Sequence, residues 1–129
     1  VLMGGAHNDK IYGGADNDDL FGGAGDDKLN GGNGDDLLEG GLGNDKLNGN
    51  SGADVFVFNG VVNHDRISDF GNGADQIQLD AAYGFTDIAD ILAAAVQLGD
   101  SVLIDLGQYG SITLEQTNLL DLDAGDFIL

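Results

Sequence analysis

The chain has 129 residues and a net charge of −19, from 23 acidic against four basic side chains, and it carries 23 glycines and no cysteine. Such a charge excludes nucleic acid and anionic membrane surfaces as partners, because both would repel the chain, and makes a cation the natural counterpart. Without cysteine neither a disulfide framework nor a thiolate metal site can form, while a hydrophobic fraction of 42% argues against full disorder once the charge is neutralised.

From Gly4 the chain reads GGAHNDKIY, GGADNDDLF, GGAGDDKLN, GGNGDDLLE, GGLGNDKLN and GNSGADVFV, six units of nine residues without an insertion. Val1, Leu2 and Met3 fit the last three positions of a preceding unit. Each unit spends six residues of turn type and then three of strand type, and its eighth position is always apolar: Ile11, Leu20, Leu29, Leu38, Leu47 and Phe56. Three residues make no stable strand alone. The units must therefore stack two per coil, strand n pairing in parallel with strand n+2 at about 4.8 Å. The predicted fold is all-β: a right-handed parallel β-roll with two small sheets and turns along both edges.

The sixth position of every unit is aspartate: Asp9, Asp18, Asp27, Asp36, Asp45 and Asp54. Stacked two units apart, these carboxylates would repel across about 5 Å and raise one another's pKa values unless something positive lay between them. Calcium suits the position, because it takes roughly six to eight hard oxygen ligands and accepts carboxylates and main-chain carbonyls together. The glycines supply positive φ and let carbonyls approach an ion closely. Plain Asx turns would need no such stack.

These units resemble the nonapeptide of the repeats-in-toxin (RTX) family of calcium-binding repeats, and all of residues 4–57 fit it. The resemblance implies an ion between two turns one coil apart, held by the second, fourth and sixth residues of one turn and the first, third and sixth of the next. Four regular calcium sites follow. One joins Gly5, His7 and Asp9 to Gly22, Ala24 and Asp27; the second joins Gly14, Asp16 and Asp18 to Gly31, Asn33 and Asp36. The third joins Gly23, Gly25 and Asp27 to Gly40, Leu42 and Asp45, and the fourth joins Gly32, Gly34 and Asp36 to Gly49, Ser51 and Asp54. Most ligands other than aspartate would be main-chain carbonyls. His7, Asp16 and Asn50 stand where the repeat has glycine, and these are residue types that tolerate positive φ.

A seventh turn from Phe58 would place Asn63 at the aspartate position, so the regular series is expected to stop there, leaving Asp45 and Asp54 without regular partners. The stretch GADVFVFNGVVNHDRISDF resembles the segment that follows the repeats in serralysin-type proteases and related secreted proteins, where later aspartates complete a last site. Asp65 and Asp69 are the candidates this implies, adding one or two end sites.

Farther on, DIADILAAAVQLG spaces Ile88, Ile91, Leu92 and Ala95 as one helical face, with Thr86 or Asp87 as N-cap and Gly99 as stop. SVLIDL and SITLEQ flank GQYG as a hairpin. Residues 58–129 thus read as a β-rich cap with one short helix, closing the roll of residues 1–57 within one continuous unit. The ending DFIL resembles the termini of type I secretion substrates, and it also suits a buried terminal strand.

The two faces of the roll differ. One carries the outward column Lys10, Lys28 and Lys46 beside Tyr12, Asn30 and Asn48; the other carries Met3, Phe21, Leu37, Val55 and Val57, which the C-terminal half or a neighbouring domain is expected to cover. The functional expectation is a non-catalytic, secreted, extracellular calcium-binding module. It would fold on calcium outside the cell, engage the type I secretion machinery and follow an upstream catalytic or adhesin domain. The alternative is a carbohydrate-binding module of a polysaccharide-modifying enzyme such as an alginate epimerase, with the lysine column meeting an anionic polysaccharide; the expected role of that column is to neutralise the chain's own acidic field. No HExxH or G-x-S-x-G motif supports an enzyme.

Overall fold

The computed structural model describes residues 1–71 and 73–129. Strands β1 (Leu2–Ala6), β2 (Lys10–Ala15), β3 (Asp19–Ala24), β4 (Lys28–Asn33), β5 (Leu37–Leu42), β6 (Lys46–Ser51) and β7 (Val55–Phe58) wind through the repeats. Odd-numbered strands pair in parallel in one sheet and even-numbered strands in the other, with Leu20 opposite Leu38 and Leu29 opposite Leu47. This is the stacking that the period of nine predicts. The strands are longer than expected. Strands β2 to β6 each run through the seventh to ninth positions and on into the first three of the next unit, so only three residues remain for the turn. Both glycines of a unit extend the ladder because the second takes positive φ, as Gly23 does at 109°, and bends the chain without leaving the sheet.

The roll does not stop at Phe58. Strands β8 (Asn63–Ile67) and β9 (Gln76–Leu79) add one further strand to each sheet, pairing in parallel with β6 and β7. Helix α1 (Ile88–Ala94) follows, then β10 (Ala95–Leu98), β11 (Ser101–Asp105), β12 (Gly110–Leu114) and β13 (Phe127–Ile128). The last of these lies parallel to β9 and ends its sheet, while β12 lies parallel to β8 and starts an antiparallel run through β11 to β10. The hairpin around GQYG is present, and the DFIL ending forms a two-residue strand in which Phe127 is buried but Ile128 is exposed.

The helix departs from expectation. Asp87 caps it, its side chain accepting from the Asp90 N–H, but it closes at Ala94, and Ala95 already belongs to β10. Gly99, at φ 59°, makes the turn between β10 and β11 instead of ending the helix. Pairing with β11 claims the backbone of residues 95–98 for the sheet. Leu92 is consequently exposed, while Ile91 is buried.

The eighth-position side chains of both sheets form the core, all at most 7% exposed, and Ile67 and Ile77 continue their two rows. At the C-terminal end Val102, Ile104, Ile112, Leu114 and Phe127 close that core over. The cap therefore adds strands to the end of the sheets and does not lie across the apolar outer face. Val57 is buried there, but Phe21, Leu37 and Val55 are only half-buried and Met3 is 77% exposed. The C-terminal half leaves most of that face uncovered because the cap strands need hydrogen-bonding edges, which the end of the roll offers.

Leu38, fully buried at the centre of the stack, should cost about 2 to 5 kcal/mol when truncated to alanine, and Met3→Ala within about 0.5 kcal/mol. Urea denaturation of the calcium-loaded protein measures both.

Candidate metal centres along the edges of the roll

Two columns of aspartate run along the edges where the chain turns between sheets. In one, the N–H of Asp9 donates to Asp27 Oδ1 at 2.7 Å, that of Asp27 to Asp45 at 2.8 Å, and that of Asp45 to Asp65 at 2.8 Å. In the other, Asp18 donates to Asp36 at 2.8 Å, Asp36 to Asp54 at 2.9 Å, and Asp54 to Asp75 at 3.0 Å. Each carboxylate thus spends one oxygen on the main chain of the coil before it. The second oxygens of Asp9, Asp27, Asp36, Asp45, Asp54 and Asp65 are buried without any hydrogen-bond partner. An ionised oxygen buried in this way costs several kcal/mol or more unless a cation or donor faces it, so these six atoms require a charge partner.

The surroundings fit a hard cation. A Cβ on Gly4 would lie 2.7 Å from Asp9 Oδ2 and 2.6 Å from the carbonyl oxygen of Gly22 in the next coil. Carboxylate and carbonyl therefore converge on space that only a glycine leaves open. At Gly22, Gly31, Gly40 and Gly49 the added carbon would collide with Oδ2 of Asp27, Asp36, Asp45 and Asp54. Among the described residues no three His, Cys, Asp or Glu side chains gather in one group. An ion here must take most of its oxygens from the main chain, as calcium readily does.

The non-glycine residues of the turns comply with this geometry. His7, Asp16 and Asn50 adopt φ of 83°, 72° and 69° where neighbouring units have glycine. Positions five add a second ladder of opposite sense. Asn8 Oδ1 accepts from the Asp26 N–H, Asp26 from Asn44 and Asn44 from His64, while on the other edge Asn17 accepts from Asp35 and Asp35 from Ala53. Sixth-position side chains hold the coil before, fifth-position side chains the coil after. Side chains thus hold internal turns from both sides, alongside main-chain bonds such as Gly25 N–H to Leu42 O.

At the C-terminal end one column is completed by the expected Asp65 and the other by a residue the repeat count does not suggest. Asp65 stands above Asp45, and Asp75 stands above Asp54. Asp69 lies elsewhere: its carboxylate accepts from the main-chain N–H groups of Gly49 and Asn50, at 3.1 and 2.6 Å, where β8 no longer supplies a paired strand. Asp75 Oδ2 accepts from the Gly71 N–H at 3.1 Å, which ends the column with a satisfied oxygen. Asp75 was legible in the sequence, because Gly73–Ala74–Asp75–Gln76–Ile77 repeats the pattern of Gly52–Ala53–Asp54–Val55–Phe56. Likewise Asn63–His64–Asp65–Arg66–Ile67 matches His7–Asn8–Asp9–Lys10–Ile11, with Asn63 at φ 51° in the fourth position. Insertions of two and then one residue take both off the strict count of nine, so that Asp75 escapes it and Asp65 is reached only through the resemblance.

Burial pushes the Asp65 carboxyl up to about 8 and those of Asp45 and Asp54 to about 6, with neighbouring carboxylates adding to the effect. Asp27, Asp36 and Asp75 are raised for the same leading reason.

Residues 1–29 and 30–60 match the family of the RTX calcium-binding nonapeptide repeat, in four copies. Residues 1–60 thus carry calcium-binding repeats of that type, wound into a parallel β-roll. The AlgE6R3 subunit of a mannuronan C5-epimerase from Azotobacter vinelandii is similar at 28% identity, with 97% of this chain and 80% of that one covered and a TM-score of 0.77. Its AlgE6R2 subunit is similar at 25% identity, with 99% and 91% covered and a TM-score of 0.73. The extracellular lipase LipA of Serratia marcescens matches at 25% identity and a TM-score of 0.74, over 91% of this chain but 20% of the lipase. No curated protein matches significantly. The chain resembles repeat subunits, and its family match is to the repeat and not to a catalytic fold.

A carboxyl whose pKa rises on folding binds its proton more tightly in the folded chain. Its stabilising effect is full below the ordinary carboxylate value and is lost as pH climbs through the raised one. Metal-free protein should therefore regain β-structure as pH falls from about 8 to about 5, whereas calcium affinity should change in the opposite direction because protons and calcium compete. Far-UV circular dichroism against pH in metal-free buffer reads the first trend, and a profile flat across that range contradicts it.

Proposed function

We propose that this chain is a calcium-folded module of a larger exported protein, unfolded where calcium is scarce and folded outside the cell. The observation that carries the reading is the set of six buried, partnerless carboxylate oxygens. Calcium at each site adds RT ln(1 + [Ca]/Kd), about 1.4 kcal/mol at tenfold Kd, so several sites together can decide whether the roll exists. The four regular sites take the ligands expected from the repeat. Two further sites follow from the lengthened columns: Gly41, Gly43 and Asp45 beneath Asp65, and Asn50, Gly52 and Asp54 beneath Asp75. Asp69 acts as a side-chain cap on the exposed main chain of β6 and not as a ligand. Residues 58–129 close the roll, and the acidic and apolar ending from Asp126 to Leu129 serves type I export.

A polysaccharide-binding role is the second reading. It is favoured by the outward column of lysines and by the likeness to subunits of an enzyme named for mannuronan.

Circular dichroism at about pH 8, where the metal-free carboxylates are ionised, with chelator and with about millimolar calcium, the range of extracellular calcium modules, tests the first reading: the β signal should appear only with calcium, and an unchanged spectrum would sink it. The end sites are tested separately. Asp75→Asn should lower the calcium stoichiometry measured by titration calorimetry. Asp69→Ala should leave it unchanged while costing about 1 to 3 kcal/mol, by orphaning two N–H groups.

A further inference from the structure

We infer that a further calcium site lies at the junction of roll and cap, between residues 61–65 and the Gly107–Tyr109 turn, with Asp65 Oδ2 as its one carboxylate oxygen. Filling it would clamp the cap to the roll. The inference rests on the calcium-folded reading and adds, to the four regular sites and the two end sites, one that lies outside the repeats.

The first ground is that the cap supplies one more coil. Residues 107–115, GQYGSITLE, keep the glycines of positions one and four and the apolar residue of position eight, but carry isoleucine where the repeat has aspartate. Strand β12 lies on β8 in the register of the repeat, with Gly110 opposite Asn63, Ile112 opposite Asp65 and Leu114 opposite Ile67. Gly110 takes φ of 119°, beside 125° and 130° for the fourth-position Gly25 and Gly43. A Cβ on Gly110 would collide with the carbonyl oxygen of Asn63, as one on Gly25 would with that of His7 and one on Gly43 with that of Gly25. The fourth-position carbonyl therefore stands at this junction as it does between internal coils. The fifth-position ladder also goes on, with His64 Nδ1 lying 2.9 Å from Ser111 Oγ.

The second ground is an oxygen left over. In an internal turn Asp27 Oδ1 accepts from the coil before, while its Oδ2 converges with the Gly40 carbonyl of the coil after. Asp65 Oδ1 likewise accepts from the Asp45 N–H, which leaves Oδ2 for the side of β12. That oxygen is buried without a partner, on a side chain only 1% exposed. The other column ends differently, because Asp75 Oδ2 accepts from the Gly71 N–H. Ile112, fully buried above Asp65, brings hydrocarbon and no charge. A cation that takes carbonyl oxygens alongside one carboxylate resolves the conflict. By equivalence of position, the carbonyls of Val61 and Asn63 would join Asp65 from the roll and those of Gly107 and Tyr109 from the cap, with water completing the shell. Tyr83 closes the outside, its hydroxyl donating to the Gly60 carbonyl at 2.9 Å and its ring 5.1 Å from that of Tyr109. With one carboxylate in place of two, affinity should be about tenfold or more below that of an internal site, and this site should fill last. None of the other six sites draws a ligand from residues 76–129, so this ion alone would tie closure of the cap directly to calcium.

The test is a calcium titration of the whole chain followed by amide NMR. Residues 61–65 and 107–110 should shift in a last step, after residues 23–27 have saturated. Ile112→Asp restores the missing carboxylate and should tighten that last step about tenfold or more without moving the earlier ones. Because Ile112 belongs to the core, anomalous scattering from crystals of the unaltered chain grown in calcium decides the matter whether or not the variant folds. A calcium peak beside Asp65 Oδ2, facing the Gly107–Tyr109 turn, is the expected result. No peak there, with ions present between internal coils, overturns the inference and leaves the calcium-folded reading intact. So does a shift of residues 107–110 in step with the internal turns, or an infrared band of un-ionised carboxyl that persists in saturating calcium and is lost in Asp65→Asn, since a proton would then hold that oxygen. Absence of any calcium-dependent folding overturns the inference together with the reading it rests on.

Discussion

Everything in this molecule depends on the electrostatics of stacked aspartates. Asp27 and Asp45 lie one coil apart with one oxygen each bonded to main chain and the other buried without a partner. Left alone, such a stack opposes its own formation through desolvation and mutual repulsion. With a divalent cation between coils, the same carboxylates become the attachment of one coil to the next. The acidity of the chain, its glycines and its lack of disulfides all follow from assigning cohesion to metal ions instead of to a large core. The core itself is a double row of single side chains per coil, from Ile11 and Leu20 to Ile67 and Ile77.

The aspartates do not act alone. Fifth-position side chains such as Asn8, Asp26 and Asn44 bind upward while sixth-position side chains bind downward, which ties each turn to both neighbours. Neighbour-only coupling of this kind makes stability a sum over coils and interfaces, so the ends matter most. At the C-terminal end the problem is solved in three ways. Asp75 closes its column with a satisfied second oxygen. Asp69 covers the bare N–H groups of β6 with a carboxylate. Strands β12 and β13 turn the remaining edges into a wider sheet and a closed core.

Much of this was legible because a strict repeat makes one residue's environment the environment of all its equivalents. The parallel pairing, the buried eighth position and the columns from Asp9 to Asp54 need only a period of nine and strand geometry. Legibility failed where the count broke. Asp65 and Asp75 occupy ordinary sixth positions off the count of nine; the resemblance points to Asp65 but not to Asp75, and it also points to Asp69, which lies against β6. The helix was overextended because the spacing of Ile88, Ile91 and Ala95 fits a helical face equally well when the last of these begins a strand. Nothing local could reveal that β11 would pair with residues 95–98.

The sequence by itself determined the architecture of the roll and the identity of its metal-seeking edges, since both are properties of a nine-residue period repeated without interruption. Only the tertiary structure decided how the period ends and what the ends expose. Which aspartate tops each column, where the cap attaches, and that Arg66 stands in line with three lysines all depend on pairings across irregular insertions. Such pairings are set by hydrogen-bonding edges and buried side chains far apart in the chain, and no spacing along it records them.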